Sequence, residues 1–191
     1  MKKGLMWLVI VGIGLMIASP VMAGENSRPF QLSLFSPIAI LDESQSVSGL
    51  RINLLYGSNE DINGLDIGLV NRVNGTLNGY EYGLFNYVEN DVYGGQAGWV
   101  NWVRGSVQGY QGGLVNIVDN DLKGIQAGVF NQAMNVDGTQ IGVLNISDSV
   151  TGFQLGIVNW TGKLDGLQIG LLNVATEKEN LKGMVFINAA W

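Results

Sequence analysis

The residues best placed to do chemistry are the carboxylates Glu89, Asp91, Asp119 and Asp121, which fall in two short polar segments 30 residues apart. Grouped carboxylates can hold Ca²⁺, or, as a pair across a groove, hydrolyse a glycosidic bond. Neither chemistry fits the surrounding residues. In Asp119-Asn120-Asp121-Leu122-Lys123-Gly124, Lys123 stands where a calcium loop needs an Asp or Asn ligand, and no closing Glu follows at the required distance. The spacing also departs from the roughly nine-residue period of calcium β-rolls. A glycosidase groove is built from long loops, and turns of four or five residues leave little material for one. The chain contains no His and no Cys. That removes the commonest general base, the commonest metal ligand, every disulfide and every thiolate site. The sequence therefore points to no catalytic residue, no metal and no cofactor, and to a protein that is not an enzyme.

What positions these turns is a repeat. Gly49, Gly64, Gly79, Gly94, Gly109 and Gly124 follow at steps of 15, then Gly138, Gly152 and Gly166 at steps of 14, and Gly183 after 17. With this Gly as position 1, position 5 is again Gly in eight successive units, from Gly68 to Gly170. Position 8 of the same units is Asn71, Asn86, Asn101, Asn116, Asn131, Asn145, Asn159 and Asn173. Position 3 is Gln in the last six, from Gln96 to Gln168, with Asp66 and Glu81 in the two units before. The unit from Gly49 is a variant, with Asn53 in place of the second Gly and Tyr56 in place of Asn. Units this short cannot bury a face alone and must stack on their neighbours.

Positions 2 to 10 are rich in Leu, Ile, Val and aromatics and read as strand, and polar turns such as Asn74-Gly75 follow. The fold class is all-β. A parallel β-solenoid of about 8–9 coils of 14–15 residues places equivalent residues above one another at about 4.8 Å, so that Asn can pair with Asn as an internal ladder. The alternative is an antiparallel meander or small β-barrel. Asn74-Gly75 and Arg104-Gly105 suit hairpin turns, and the chain closes on an alternating strand ending in Trp191. A barrel, however, would repeat as a hairpin of about 30 residues, and the polar-in, apolar-out alternation of a membrane barrel is missing. For the solenoid, the apolar core is expected at positions 4, 6, 10 and 14. The Gln column, interrupted by carboxylates, is expected on a solvated outer face, and some aromatics are expected in the core. Positions 7 and 9 then form a second apolar face, with Phe85, Tyr87, Trp102, Phe130 and Trp160 as the candidate interaction face.

The ends divide the chain. Lys2 and Lys3, the apolar run from Leu5 to Ile17 and the Val21-Met22-Ala23 junction before Gly24 read as a cleaved signal peptide over residues 1–23. The apolar run is too short to span a bilayer, which takes about 20 residues. Residues 24–48 read as an N-terminal cap, 49–182 as the repeat array and 183–191 as a C-terminal cap strand. Cleavage after Ala23 leaves 168 of the 191 residues, with 8 basic and 16 acidic side chains. A balance this acidic disfavours nucleic acid. The expected location is exported: cell surface, outer membrane or periplasm.

The runs Leu32-Ser33-Leu34-Phe35-Ser36-Pro37, Gly49-Leu50-Arg51-Ile52-Asn53-Leu54-Leu55-Tyr56-Gly57 and Gly64-Leu65-Asp66-Ile67-Gly68-Leu69-Val70-Asn71, with its copies, resemble the leptospiral-type bacterial surface-repeat family built on GLQxGLVN units. The resemblance implies an exported or surface-associated protein and carries no catalytic residues with it. The function expected is that of a surface or scaffold protein acting through a repeat-built binding face, or alternatively a small outer-membrane β-barrel. The partner is unknown; the outer membrane and self-association are the candidates.

Overall fold

A computed structural model describes residues 27–36 and 38–191. The segment read as a signal peptide lies outside the described residues. Among those residues the chain is β-structure and turns. Its strands are β1 (Ser27–Phe35), β2 (Ile38–Ala39), β3 (Ser46–Asn59), β4 (Ile62–Val73), β5 (Leu77–Tyr82) and β6 (Phe85–Val88). They continue as β7 (Val92–Val103), β8 (Val107–Ala127), β9 (Phe130–Ile141), β10 (Leu144–Leu155), β11 (Val158–Ala175) and β12 (Gly183–Ala190).

From β3 to β11 every pairing is parallel and in repeat register: Gly94 lies beside Gly109, Gln96 beside Gln111 and Asn101 beside Asn116. The molecule is a parallel β-solenoid. Each coil has two legs, seen separately as β5 and β6, whose neighbours β4 and β7 carry both legs in one strand. The barrel alternative is overturned. Its strands would alternate in direction, whereas among the described residues antiparallel pairs occur only at the two ends, β1 with β2 and β11 with β12. The stack is an open path from β12 to β2. β1 lies parallel on β3 at one end and β12 covers β11 at the other.

Two details explain the irregularities of the repeat. The step from 15 to 14 residues is absorbed in the turn after Val118, where Asp119-Asn120 face a single residue of the next coil, so no column loses register. In the first unit a bulge between Asn53 and Tyr56 sets Gly57, not Tyr56, beside Asn71. The Asn53 side chain fills the space above Gly57 and donates to Asn71 Oδ1 at 3.1 Å. Asn53 thus supplies the missing rung from an earlier position.

The nine glycines at position 1 hold φ between 133° and 149°, a region that L side chains avoid. A Cβ there would strike a carbonyl oxygen one coil back, that of Pro29 for Gly49 and of the preceding Gly for the other eight. This is why the column tolerates no other residue.

The interior corrects the expected core. Four columns point inward, at positions 3, 8, 10 and 14. Positions 10 and 14 are apolar in most coils, as in Val88, Val103, Val92 and Val107. Positions 3 and 8 are polar: Gln96 through Gln168 and Asn71 through Asn173 are buried. Positions 4 and 6, expected inside, point out, as Ile67, Leu69, Trp99 and Leu114 do. The reason is strand parity. Running on from position 14 into the next coil with a two-residue period, positions 1 and 3 share its face, and position 4 is forced outward. The glycine corner at position 5 then resets the alternation so that position 8 points in. No aromatic is buried among the described residues, against the expectation that some lie in the core.

Candidate functional site

The polar interior and the apolar exterior are two sides of one device. At the corner between the legs the backbone turns, and the carbonyls of position 4, such as Ala97, Ile141, Leu155 and Ile169, accept a second hydrogen bond beside the one from the preceding coil's Gly N–H. The Asn column supplies this second bond. Each Asn donates one amide hydrogen to the next Asn, Asn71 to Asn86 and onward to Asn173, over 2.7–3.0 Å. It gives the other to a corner carbonyl one coil on: Tyr82, Ala97, Gly112, Ala127, Ile141, Leu155 and Ile169 accept at 2.9–3.1 Å. Position 5 is Gly because a side chain there would collide with this amide or with the carbonyl of the preceding coil. The eight Asn residues read as a ladder form one continuous hydrogen-bonded file.

The Gln column was expected to face solvent and instead forms a second buried file. Gln168 donates to Gln154, then to Gln140, Gln126, Gln111 and Gln96, and Gln96 donates to Glu81 Oε2, all over 2.7–2.8 Å. Asn188 of β12 donates to Gln168 Oε1 at 2.9 Å and is itself capped by Lys178 Nζ at 2.7 Å. Amide stacking makes burial affordable, since every rung hands its donor to its neighbour's acceptor. The Gln side chains also cross the interior: Gln126 Nε2 reaches the Gln132 carbonyl on the opposite leg at 3.1 Å. The two legs therefore lie back to back, one side chain apart.

Burial of this column forces its charged members into an ionic group that sequence reasoning missed. Arg51, Asp66 and Glu81 are all fully buried. Arg51 Nε donates to Asp66 Oδ1 at 2.8 Å, and its terminal nitrogen pairs with Oδ2. Burial, and then the Asp66 charge, hold the Glu81 carboxyl well above the usual carboxylate range. Its Oε1 has no hydrogen-bond partner among the heavy atoms. The signal was present in the sequence, because all three residues occupy position 3.

Outside, the apolar residues form one band. Position 6 is the apex of the corner, position 4 flanks it on one leg and position 7 on the other, and none of these positions carries a charge from Gly64 to Asn173. Of the candidate interaction residues, Phe85, Tyr87 and Trp102 come together on the outer surface of the second leg. Tyr87 and Trp102 meet edge to face with centroids 5.4 Å apart, and the Arg72 guanidinium lies 5.3 Å from the Tyr87 ring centre. Phe130 stands three coils along the Phe85 column, and Trp160 four coils along the Trp102 column. They share the face, not the cluster.

The carboxylates of the turns lie at the other edge. Glu89 and Asp119 flank Arg104, with Arg104 to Glu89 at 3.2 Å and to Asp119 at 3.7 Å. Such exposed pairs are worth little, and their function is solvation of the turn. Among the described residues no group of three or more potential metal ligands converges.

Fold and site together define a β-solenoid with a polar, hydrogen-bonded interior, one charged edge and one apolar edge. Comparison with known proteins finds no matching family model, no similar curated protein and no similar solved structure.

Proposed function

We propose that this chain is an exported, non-catalytic surface or scaffold protein whose working part is the apolar, aromatic-flanked edge of the solenoid. The observation that carries the reading is the uncharged band at positions 4, 6 and 7, repeated over eight coils and left exposed. Monomeric proteins seldom leave a continuous apolar patch beyond a few hundred Å² uncovered, and those that do generally use it for binding. Export rests on Lys2, Lys3, the apolar run and the Ala23 junction. The absence of His and Cys supports a role without catalysis.

The test is cell fractionation of the full chain beside a triple variant, Leu114→Glu, Val129→Glu and Val143→Glu, at three successive apex positions. These side chains are about half exposed, so the fold tolerates the change. The parent is expected in the envelope fraction and the folded variant in the soluble exported fraction. Identical distribution of the two sinks the proposal.

A further inference from the structure

We propose that the partner covering this edge is a lipid surface, with the edge seated in the interfacial layer of a zwitterionic bilayer. This inference rests on the reading of the edge as the working surface and goes on to name its occupant. Three observations carry it.

The first is a gradient of side-chain chemistry with distance from the apex. Positions 6 and 7 are aliphatic or Phe, as in Leu69, Leu114, Val129 and Val158, except for Trp99 at the apex; Tyr82 stands beside it at position 4. Tyr and Trp gather one step out on either leg, at position 2 (Tyr80, Tyr110) and position 9 (Tyr87, Trp102, Trp160). Charges begin almost wholly beyond these shoulders. On the second leg the shoulder aromatics aim their polar atoms away from the apex: Trp102 Nε1 donates to Asp119 at 3.1 Å, and the Tyr87 hydroxyl donates to Glu89; on the first leg the Tyr110 hydroxyl lies over Gly112 instead. Aliphatic tip, amphipathic aromatic shoulders and charged base follow the order of a membrane interface from acyl chains to water.

The second observation is that the apex backbone is dry. Each position 4 carbonyl from Tyr82 to Ile169 accepts an Asn amide from inside, and the corner amides of Gly83, Gly128, Gly142 and Gly156 donate to the next coil. Backbone entering a low-dielectric medium must be satisfied internally. The Asn file does this at the apolar corner, while the opposite turns are polar and solvated.

The third is shape, which separates lipid from a second copy of the chain. The legs lie back to back, so the apolar band folds around a wedge and its two flanks face in opposite directions. One rigid neighbour can cover a single flank of about four residues by eight coils, roughly 500 Å² at strand spacing. That is the footprint of no more than a standard-size interface, and it leaves the other flank wet. A fluid layer covers apex and both flanks together. Net acidity beyond residue 23, 8 basic against 16 acidic side chains, directs it to zwitterionic rather than anionic lipid.

The experiment uses the chain without residues 1–23 and phosphatidylcholine vesicles. The parent floats with vesicles, and raising salt to about 0.5 M does not release it, because the contact is apolar. Its Trp emission shifts to the blue and is quenched by acyl-brominated phosphatidylcholine, which needs no variant. The apex triple variant, checked for an unchanged denaturation midpoint, loses vesicle affinity by at least about tenfold. A control that places three Glu at the turn edge (Asn120→Glu, Asn135→Glu, Ser149→Glu) keeps it. A folded parent that neither floats nor is quenched overturns the inference. So does a parent dimer in sedimentation that the apex triple dissolves while vesicles stay unbound. Edge-dependent envelope retention in cells without vesicle binding leaves the scaffold reading standing and removes the lipid.

Discussion

Glu81 offers the sharpest test of the polar interior. It sits in the Gln file between Asp66 and Gln96, fully buried, with Oε2 receiving the Gln96 amide and Oε1 unpartnered. Burial raises its pKa first and the Asp66 carboxylate second, while Gln96 and Arg51 pull more weakly the other way. The folded chain therefore gives up this proton at higher pH than the unfolded chain, whose carboxyl lies near its ordinary pKa of about 4.3. Protons bound in the unfolded state are then fewer than in the folded state, so stability falls as pH rises. The stabilisation is fully present below the unfolded pKa and is lost as pH climbs through the folded one. The slope is about 1.4 kcal/mol per pH unit while Glu81 keeps its proton. Glu81→Gln needs no proton: its Oε1 accepts from Gln96 and its Nε2 donates to Asp66, extending the file by one rung. Between pH 5 and pH 7 the variant's advantage should grow with pH, by at most about 1.4 kcal/mol per unit. Urea midpoints of the parent and variant at pH 5, 6 and 7, at matched m-values, measure this directly. Glu60→Gln, on an exposed turn, serves as the control. A Glu81→Gln advantage that does not change with pH, or a variant less stable than the parent at pH 7, refutes a protonated Glu81.

Arg51→Met should cost about 3–5 kcal/mol by stranding Asp66 in the interior, and Asp66→Asn in the same chain should recover much of it; chemical denaturation of the two single variants and the double variant checks the coupling. Gly98→Ala should destabilise by more than about 2 kcal/mol, because its Cβ would lie on the Gly83 carbonyl and against the Asn86 amide. Gly183→Ala, with nothing within 4 Å of its Cβ, should stay within about 0.5 kcal/mol by the same measurement.

The architecture was readable because a parallel stack repeats its coil in the sequence. The even spacing of Gly79, Gly94 and Gly109 and the Asn at position 8 lead directly to in-register coils. Which columns face inward was less legible. Apolar side chains at positions 4 and 6 suggested a core, since the usual arrangement hides such residues and exposes amides. Two local facts reverse this: the parity running on from position 14 into the next coil, and the glycine corner at position 5. A column of Gln broken by Asp66 and Glu81 also looks solvated when read one residue at a time. It becomes an interior feature only once Arg51, three coils from Gln96 in the same column, neutralises it. The bulge at Asn53 was hidden because the rung it supplies comes from the wrong position in the repeat.

The two amide files run in opposite senses. Every Gln donates toward the N-terminal end and every Asn toward the C-terminal end. Each file is a row of aligned dipoles, and a single row would add to its own field with every coil. Side by side and opposed, the two rows cancel coil by coil. Inserting or deleting a repeat thus alters the length of the molecule without altering the electrical load on its ends. Growth by duplication of 14- or 15-residue units is, for this interior, electrostatically free.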